Sequence, residues 1–303
     1  MTAPFPATAL ELKIGPYKVS AAPTGQFGLD GGAMFGTVPK VLWEKSNPAD
    51  SANRIQMEAR ALLLSDADSK RHILIDCGIG GDFIEKYGEK AGPKFAEMYA
   101  VDREKASLEK SLAKQGLTVN DITDVILTHL HFDHCGGATT FRDGALRPTF
   151  PKARYYVQKA NLENALHPNR RERASYYAAN FQPLVDAGVL TLLNGPTENI
   201  LPMISVGVSN GHTEGQQYVR VSDGTTTLYY CGDVIPTSTH VRLAWVMGYD
   251  LRPLDLIDEK ERLLTRATQE NAYLFFEHDP YFDVTTIRSE KGDFGVNERF
   301  RLA

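Results

Sequence analysis

Thr128-His129-Leu130-His131-Phe132-Asp133-His134 is the stretch on which the reading of this chain turns. Three histidines and an aspartate fall within a hexapeptide, in a chain that holds only 8 histidines. An isolated histidine after a strand is ordinarily a hydrogen-bonded loop residue; so dense a set of ligand-type side chains is a different signal. Imidazole nitrogen and carboxylate oxygen suit zinc and similar divalent ions. His129 and His131 lie at i and i+2, on one side of an extended segment. Asp133 and His134 then turn the chain toward a second position. Four such ligands exceed what one zinc with an open coordination position takes from a protein. Two ions about 3.5–4 Å apart would use them all.

Working outward, Asp124-Val125-Ile126-Leu127 reads as a short buried strand that runs straight into the cluster. Upstream, residues 61–65 and 72–76 read as a strand pair joined by the polar turn 66–70, followed by the glycine-rich loop Cys77–Gly81. A helix is expected over 105–115 with Gly116 as its stop, and strand then helix over 153–158 and 159–166. Residues 204–209 form a strand ending at Asn210-Gly211-His212. Residues 217–222 and 226–231 form a hairpin around Asp223-Gly224, 256–270 an amphipathic helix, and 272–277 a strand ending at His278. His129, His212, Asp233 and His278 thus each follow a strand, where α/β folds place chemistry.

The chain has 303 residues, 42% apolar and 23% charged, with a formal net charge of -5. That is ample material for a core, read as one domain over residues 1–303, and no basic run supports nucleic acid as a partner. Cys77, Cys135 and Cys231 form neither a disulfide framework nor a C-x-x-C zinc site. With no signal-like N-terminus, they point to the cytoplasm. No stretch approaches the roughly 18 apolar residues of a membrane span.

The segment Thr128–Gly137 resembles the H-x-H-x-D-H motif of the metallo-β-lactamase superfamily, and further stations follow in the family's order. Leu74-Ile75-Asp76-Cys77-Gly78 is similar to its early strand-end motif, Gly211-His212-Thr213-Glu214-Gly215 to its G-H-T-x-G motif, Gly232-Asp233 to its G-D motif, and His278 to its last histidine. The resemblance implies an α/β fold of four layers, an αβ/βα sandwich of two mixed β-sheets flanked by helices. It also implies two divalent metal ions, zinc first, with manganese, iron, cobalt or nickel acceptable to the same donors. Carried over, His129, His131 and His212 bind one ion, Asp133, His134 and His278 the other, and Asp233 bridges both. Asp76 holds a ligand histidine from behind and fixes its tautomer. Two cations bring the pKa of a shared water to about 7, and Asp133 is a candidate to pass a proton to the leaving group.

Within the superfamily, Asp233 and the missing leader argue against zinc β-lactamases, intact His131 against flavodiiron proteins, and the short stretch after His278 against glyoxalase II. Closer is the branch of N-acyl homoserine lactonases and methyl parathion hydrolase-like enzymes. Leu29–Gly36 resembles its entrance loop, while 232–240, Tyr249–Leu254 and Phe276–Pro280 resemble its later segments. The implied activity is hydrolysis of a small lactone or ester, N-acyl homoserine lactones foremost (quorum quenching), by a homodimer. The alternative is phosphotriesterase activity on aryl organophosphates. A non-catalytic metal binder would show eroded ligands, and none is missing. Where some lactonases carry a substrate-contacting tyrosine this chain has Pro236, so His240 becomes a candidate catalytic group. Phe27, Met34, Phe35 and Trp245 are candidates for an apolar substrate wall, set against ordinary core packing.

Overall fold

Alternating strands and helices build two units, each with its own hydrophobic core; the computed structural model describes residues 6–303. One unit comprises Ala21–Phe27 and Glu58–Gly195; the other comprises the described residues through Ser20, Gly28–Met57 and Pro196–Ala303.

The first unit is built on strands that are apolar on both faces, as strands covered on both sides must be. Leu62–Leu64, Ile73–Ile75 and Val125–Leu127 are all buried. Arg54–Asp66 pairs antiparallel with Arg71–Ile75. Arg71–Ile75, Asp124–Ile126, Arg154–Gln158 and Leu190–Leu193 then follow side by side in parallel. Parallel neighbours need long crossovers, and the first of these carries the helix Leu108–Lys114. Its N-terminus is closed by Ser107, whose hydroxyl accepts the Lys110 N–H, and Gly116 follows its end at φ +72°. The expected strands, this helix and the helix Lys159–Leu166 are present within a residue or three of their expected bounds, except that the strand expected over 61–65 begins seven residues earlier, at Arg54.

The second unit holds a mixed sheet in the order Thr8–Leu10, Asp293–Leu302, Val284–Glu290, Tyr273–Phe275, Thr227–Tyr230, Gln216–Ser222, Ile204–Ser209 and Thr197–Leu201. The hairpin around Gly224 forms with Ser222 opposite Thr227. Helix Pro253–Gln269 buries Leu256, Lys260, Leu263, Leu264 and Ala267, a stripe at helical spacing that packs with the Tyr229, Leu274 and Phe276 cluster. A lysine stands in the middle of that apolar stripe. Its ammonium donates to the carbonyls of His240, Arg242 and Trp245 at 3.0, 2.8 and 2.8 Å. These bonds tie the loop after His240 to the helix, and burial pulls Lys260 down to about 7.

Several elements carry no signal recognised in the sequence. Tyr17–Asp30 is a 14-residue strand despite Pro23, Gly25 and Gly28, and the C-terminal hairpin Val284–Glu290 with Asp293–Leu302 is rich in charge. The segment read as an entrance loop is partly a short helix, Gly31–Phe35, capped by the Asp30 carboxylate on the Ala33 N–H. No helix among the described residues is long and apolar enough to cross a membrane. The three cysteines are buried, and burial pushes the Cys135 and Cys231 thiols up.

Candidate metal centre

In the first unit, strand Asp124–Ile126 leads through Leu127 into Thr128 and His129. Asp76, at the end of the neighbouring strand, has φ +58°, a left-handed conformation that aspartate tolerates better than most residues. Its carboxylate accepts the Thr128 N–H and O–H, both at 2.7 Å, and stands 3.1 Å from His134 Nδ1. A carboxylate holding Nδ1–H leaves Nε2 with its lone pair, the state a metal ligand needs. His131 is extended (ψ 155°) and opens the one-turn helix Phe132–Cys135, which carries Asp133 and His134. The result is the expected change of direction. His129 Nε2 meets His131 Nδ1 at 3.0 Å, and the His129 and His134 rings lie 3.9 Å apart. All four cluster residues are buried.

Glycines allow this turn to sit where it does. A Cβ on Gly80 would lie 2.3 Å from the Gly136 carbonyl oxygen, and one on Gly137 2.2 Å from that of Cys77. The loop after Asp76 and the turn after His134 therefore pack backbone against backbone. Lys86 donates to the Gly136 and Thr139 carbonyls from a buried position, where desolvation holds it near 8. Residues beyond the recognised motifs complete the surroundings. The Asn161 side-chain oxygen accepts the Leu130 N–H at 2.9 Å. Glu172 Oε2 lies 3.7 Å from His131 Nε2, and the Tyr176 ring meets His131 edge-on.

In the second unit, strand Ile204–Ser209 ends at Asn210-Gly211-His212. Glu259, on the long helix, accepts from the Ser209 hydroxyl and the N–H groups of Asn210 and Gly211. His212 Nδ1 lies 2.8 Å from Asp250 Oδ1, whose other oxygen accepts the Met247 N–H at 2.6 Å. Asp250 thus does for His212 what Asp76 does for His134. Burial pushes its carboxyl up, and the bond to His212 opposes that shift. Asp250 was not among the residues picked out from sequence as site groups. It lies in the segment Tyr249–Leu254 that resembles the lactonase branch, but its role is carried by a partner 38 positions away.

Asp233 follows strand Thr227–Tyr230 in a tight turn. Turned with its amide oxygen toward that turn, Gln216 accepts the N–H groups of Asp233 and Val234 at 3.0 and 2.9 Å. The two carboxylate oxygens of Asp233 face different imidazoles. Oδ2 is 3.2 Å from His212 Nε2, and Oδ1 is 3.3 Å from His278 Nε2. A carboxylate that offers one oxygen to each of two histidines has the form of a ligand shared between two ions. Asp279 fixes the loop after His278 by accepting from Ser238, Tyr281 and Phe282. The first unit brings together three buried imidazoles and a carboxylate, and the second two buried imidazoles and a carboxylate, with one imidazole in each oriented from behind; donors of these kinds suit divalent zinc and its neighbours.

The candidate substrate residues fare differently. His240 is buried, with Nδ1 2.7 Å from the Thr237 hydroxyl and Nε2 2.8 Å from the Met34 carbonyl. Both ring nitrogens are engaged, so neither is offered to a substrate carbonyl in this arrangement. Burial drives its pKa to about 3, so the ring is neutral. Phe35 is sandwiched between Trp43 and His240, with ring centroids 5.2 and 4.6 Å away. Met34 and Phe27 are also buried. Of the candidate wall residues only Trp245 reaches a described cavity, one of about 640 Å³ within the second unit.

Residues 61–278 match the model of the metallo-beta-lactamase superfamily. A probable metallo-hydrolase of Mycobacterium bovis is 28% identical over 196 residues, 56% of this chain and 59% of that protein. The chain thus spans about three fifths of the length of that curated relative. An N-acyl homoserine lactonase of Rhizobium johnstonii is 24% identical, over 83% of this chain and 92% of that one. Among solved structures, a probable metal-dependent hydrolase from Staphylococcus aureus is 30% identical, with a TM-score of 0.84 over 95% of this chain and 98% of the other. With the motif stations in family order and the family match running from the first buried strand to the last histidine, the chain belongs to the metallo-beta-lactamase superfamily and has its α/β fold.

Proposed function

We propose that the chain is a dinuclear-metal hydrolase that opens lactone rings, with N-acyl homoserine lactones as its substrate class. The observation that carries the dinuclear reading is Asp233, one oxygen toward His212 and the other toward His278. In this reading His129, His131 and His212 serve one ion, Asp133, His134 and His278 the second, and Asp233 both. Two bound divalent cations acidify water and polarise the substrate carbonyl.

The chain's own groups do the rest. Asp76 and Asp250 keep a proton on Nδ1 of His134 and His212, so that Nε2 of each would keep its lone pair for a cation. Asp133 takes the proton released as water adds to the lactone carbonyl and returns it to the ring oxygen as the C–O bond breaks. The product carries a hydroxyl and a carboxyl on the opened homoserine unit, and the carboxyl loses its remaining proton to solvent to become a carboxylate. His240 has no part in this scheme, because its nitrogens are engaged by Thr237 and Met34. The likeness to the Rhizobium lactonase supports the substrate class.

The test is turnover by zinc-quantified protein of a long-chain acyl homoserine lactone, with a paraoxon-type triester and a cephalosporin in parallel. Two zinc equivalents with lactone turnover far above the others is the expected result. Two equivalents with the triester preferred would replace the lactonase reading by a phosphotriesterase, and fewer than one would overturn the dinuclear reading.

A further inference from the structure

Lys260 is buried in the middle of the apolar stripe of the helix Pro253–Gln269. A leucine or methionine would fill that place without the cost of taking a charge out of water. What the lysine adds is a matched set of bonds. An ammonium has three N–H donors, and the carbonyls of His240, Arg242 and Trp245 take them at 3.0, 2.8 and 2.8 Å. The chain leaves this point at His240 and returns at Pro253 as the helix that carries Lys260. The ammonium therefore closes a loop at its base.

The later part of that loop bears on His212. Two residues past Trp245, the Met247 N–H donates to Asp250 Oδ2 at 2.6 Å, and Asp250 Oδ1 stands 2.8 Å from His212 Nδ1. The Leu251 and Arg252 N–H groups then donate to the carbonyls of His212 and Gly211 at 3.2 and 2.8 Å. On its other side the loop meets the helix Gly31–Phe35, where the Gly248 N–H donates to the Ala33 carbonyl at 2.8 Å. All of these residues belong to one unit. Burial pulls the Lys260 ammonium down, and Asp250 and Asp293 oppose that shift, so the carboxylate beside His212 also feels this charge.

We propose that Lys260 is a positioning residue of the metal centre: by closing the loop between His240 and Pro253 it fixes Asp250, and through Asp250 the ring of His212. The consequence for zinc rests on the reading of His212 as a ligand; the coupling of Lys260 to the His212 ring is a property of the chain alone.

The test compares the unaltered protein with Lys260→Met, which keeps an unbranched side chain in the stripe and removes the donors. In zinc-free protein with isotope-labelled histidine, hydrogen exchange of His212 Nδ1–H should quicken at least tenfold. Exchange of His134 Nδ1–H, held by Asp76 in the other unit, should stay within twofold. In competition with a chromophoric chelator, Lys260→Met should weaken one of two zinc equivalents at least threefold. The same substitution made in Asp250→Asn should add less than twofold, because its route to His212 is already cut. Lys260→Gln, which keeps two donors, should fall between and serves in place of Lys260→Met should that variant fail to fold. Equal quickening at both histidines would mark a general loss of stability and overturn the proposal. So would unchanged exchange at His212, or zinc losses that add in full in the double variant. Exchange is read without metal, so an unaltered protein that binds fewer than two zinc equivalents would overturn the dinuclear reading and leave the exchange rates to decide this one.

Discussion

Replacing Asp250 by asparagine puts a choice to the protein with no neutral answer. The carboxylate accepts twice, from His212 Nδ1–H at 2.8 Å and from Met247 N–H at 2.6 Å. An amide has one accepting oxygen and one donating nitrogen. If the oxygen stays on His212, the amide nitrogen confronts the Met247 N–H, donor against donor in a buried place. That costs about 1–3 kcal/mol of folding stability, or some 2–4 °C of melting temperature per kcal/mol. If the amide turns over, its NH₂ donates to His212 Nδ1, and the imidazole proton moves to Nε2, the atom 3.2 Å from Asp233. A protonated Nε2 has no lone pair for zinc, and loss of such an orienting partner typically weakens metal binding about 10–100-fold, or ~1.4–2.7 kcal/mol. The measurement is therefore double: the melting temperature of the zinc-free protein, and zinc affinity by competition with a chromophoric chelator. Asp250→Asn must lower one or the other. A variant with both unchanged would refute the claim that Asp250 sets the tautomer of His212.

Other perturbations follow from the same geometry. Asp76→Ala orphans the Thr128 N–H and frees His134 Nδ1; it should cost at least about 1–3 kcal/mol and weaken one of two zinc equivalents more than the other in a stoichiometric titration. Gly80→Ala and Gly116→Ala share a positive φ (+70° and +72°), but only at Gly80 would the new Cβ strike backbone. Chemical denaturation should show Gly116→Ala losing about 1–2 kcal/mol and Gly80→Ala clearly more; equal losses would mean that the close approach is unimportant. Lys260, held near 7 in the folded chain, has an ordinary value near 10.4 when unfolded. Between those values the unfolded chain binds the extra proton, so the penalty for burying this charge is full below about pH 7 and fades as pH rises toward 10. Across that window zinc-free protein should gain stability relative to Lys260→Met, because Lys86 and the buried thiols contribute the same slope to both. Finally, zinc removal by dipicolinate should abolish lactone turnover and zinc addition restore it, with the melting temperature moving in parallel.

What could be read in advance was what lies close together along the chain. The cluster from His129 to His134 declares itself because its ligands are local, and so does the Gln216–Tyr230 hairpin, with Asp223-Gly224 at its turn. Buried parallel strands announce themselves as short apolar runs. Hidden from such a reading was whatever depends on distant pairing. Asp250 and Glu172 act on His212 and His131 across 38 and 41 positions, and Glu172 sits in a charged stretch that looks like solvated surface. The strand Tyr17–Asp30 is masked by proline and glycine that its neighbours tolerate. The aromatic run around Phe35 shows the reverse error. Apolar character alone does not separate a substrate wall from a stacked core, and here Phe35 lies between Trp43 and His240.

The division of the chain into interleaved units has a consequence for how it is made. Every residue of the unit carrying His129 to His134 has left the ribosome's catalytic centre once Gly195 is joined. The other unit must wait, for its strand Thr8–Leu10 pairs in parallel with Asp293–Leu302, Thr8 lying opposite Phe300. At about 5–20 residues per second, the stretch from Pro196 onward takes on the order of 5–20 s to synthesise. For that interval a nascent chain carries a complete cluster of three histidines and an aspartate while the strand Thr8–Leu10 still lacks its partner Asp293–Leu302. A cell that supplies metal to this protein would therefore meet two different customers in succession: a nascent chain with only the proposed donors from His129 to His134, and one synthesised through His278 that carries all seven proposed donors.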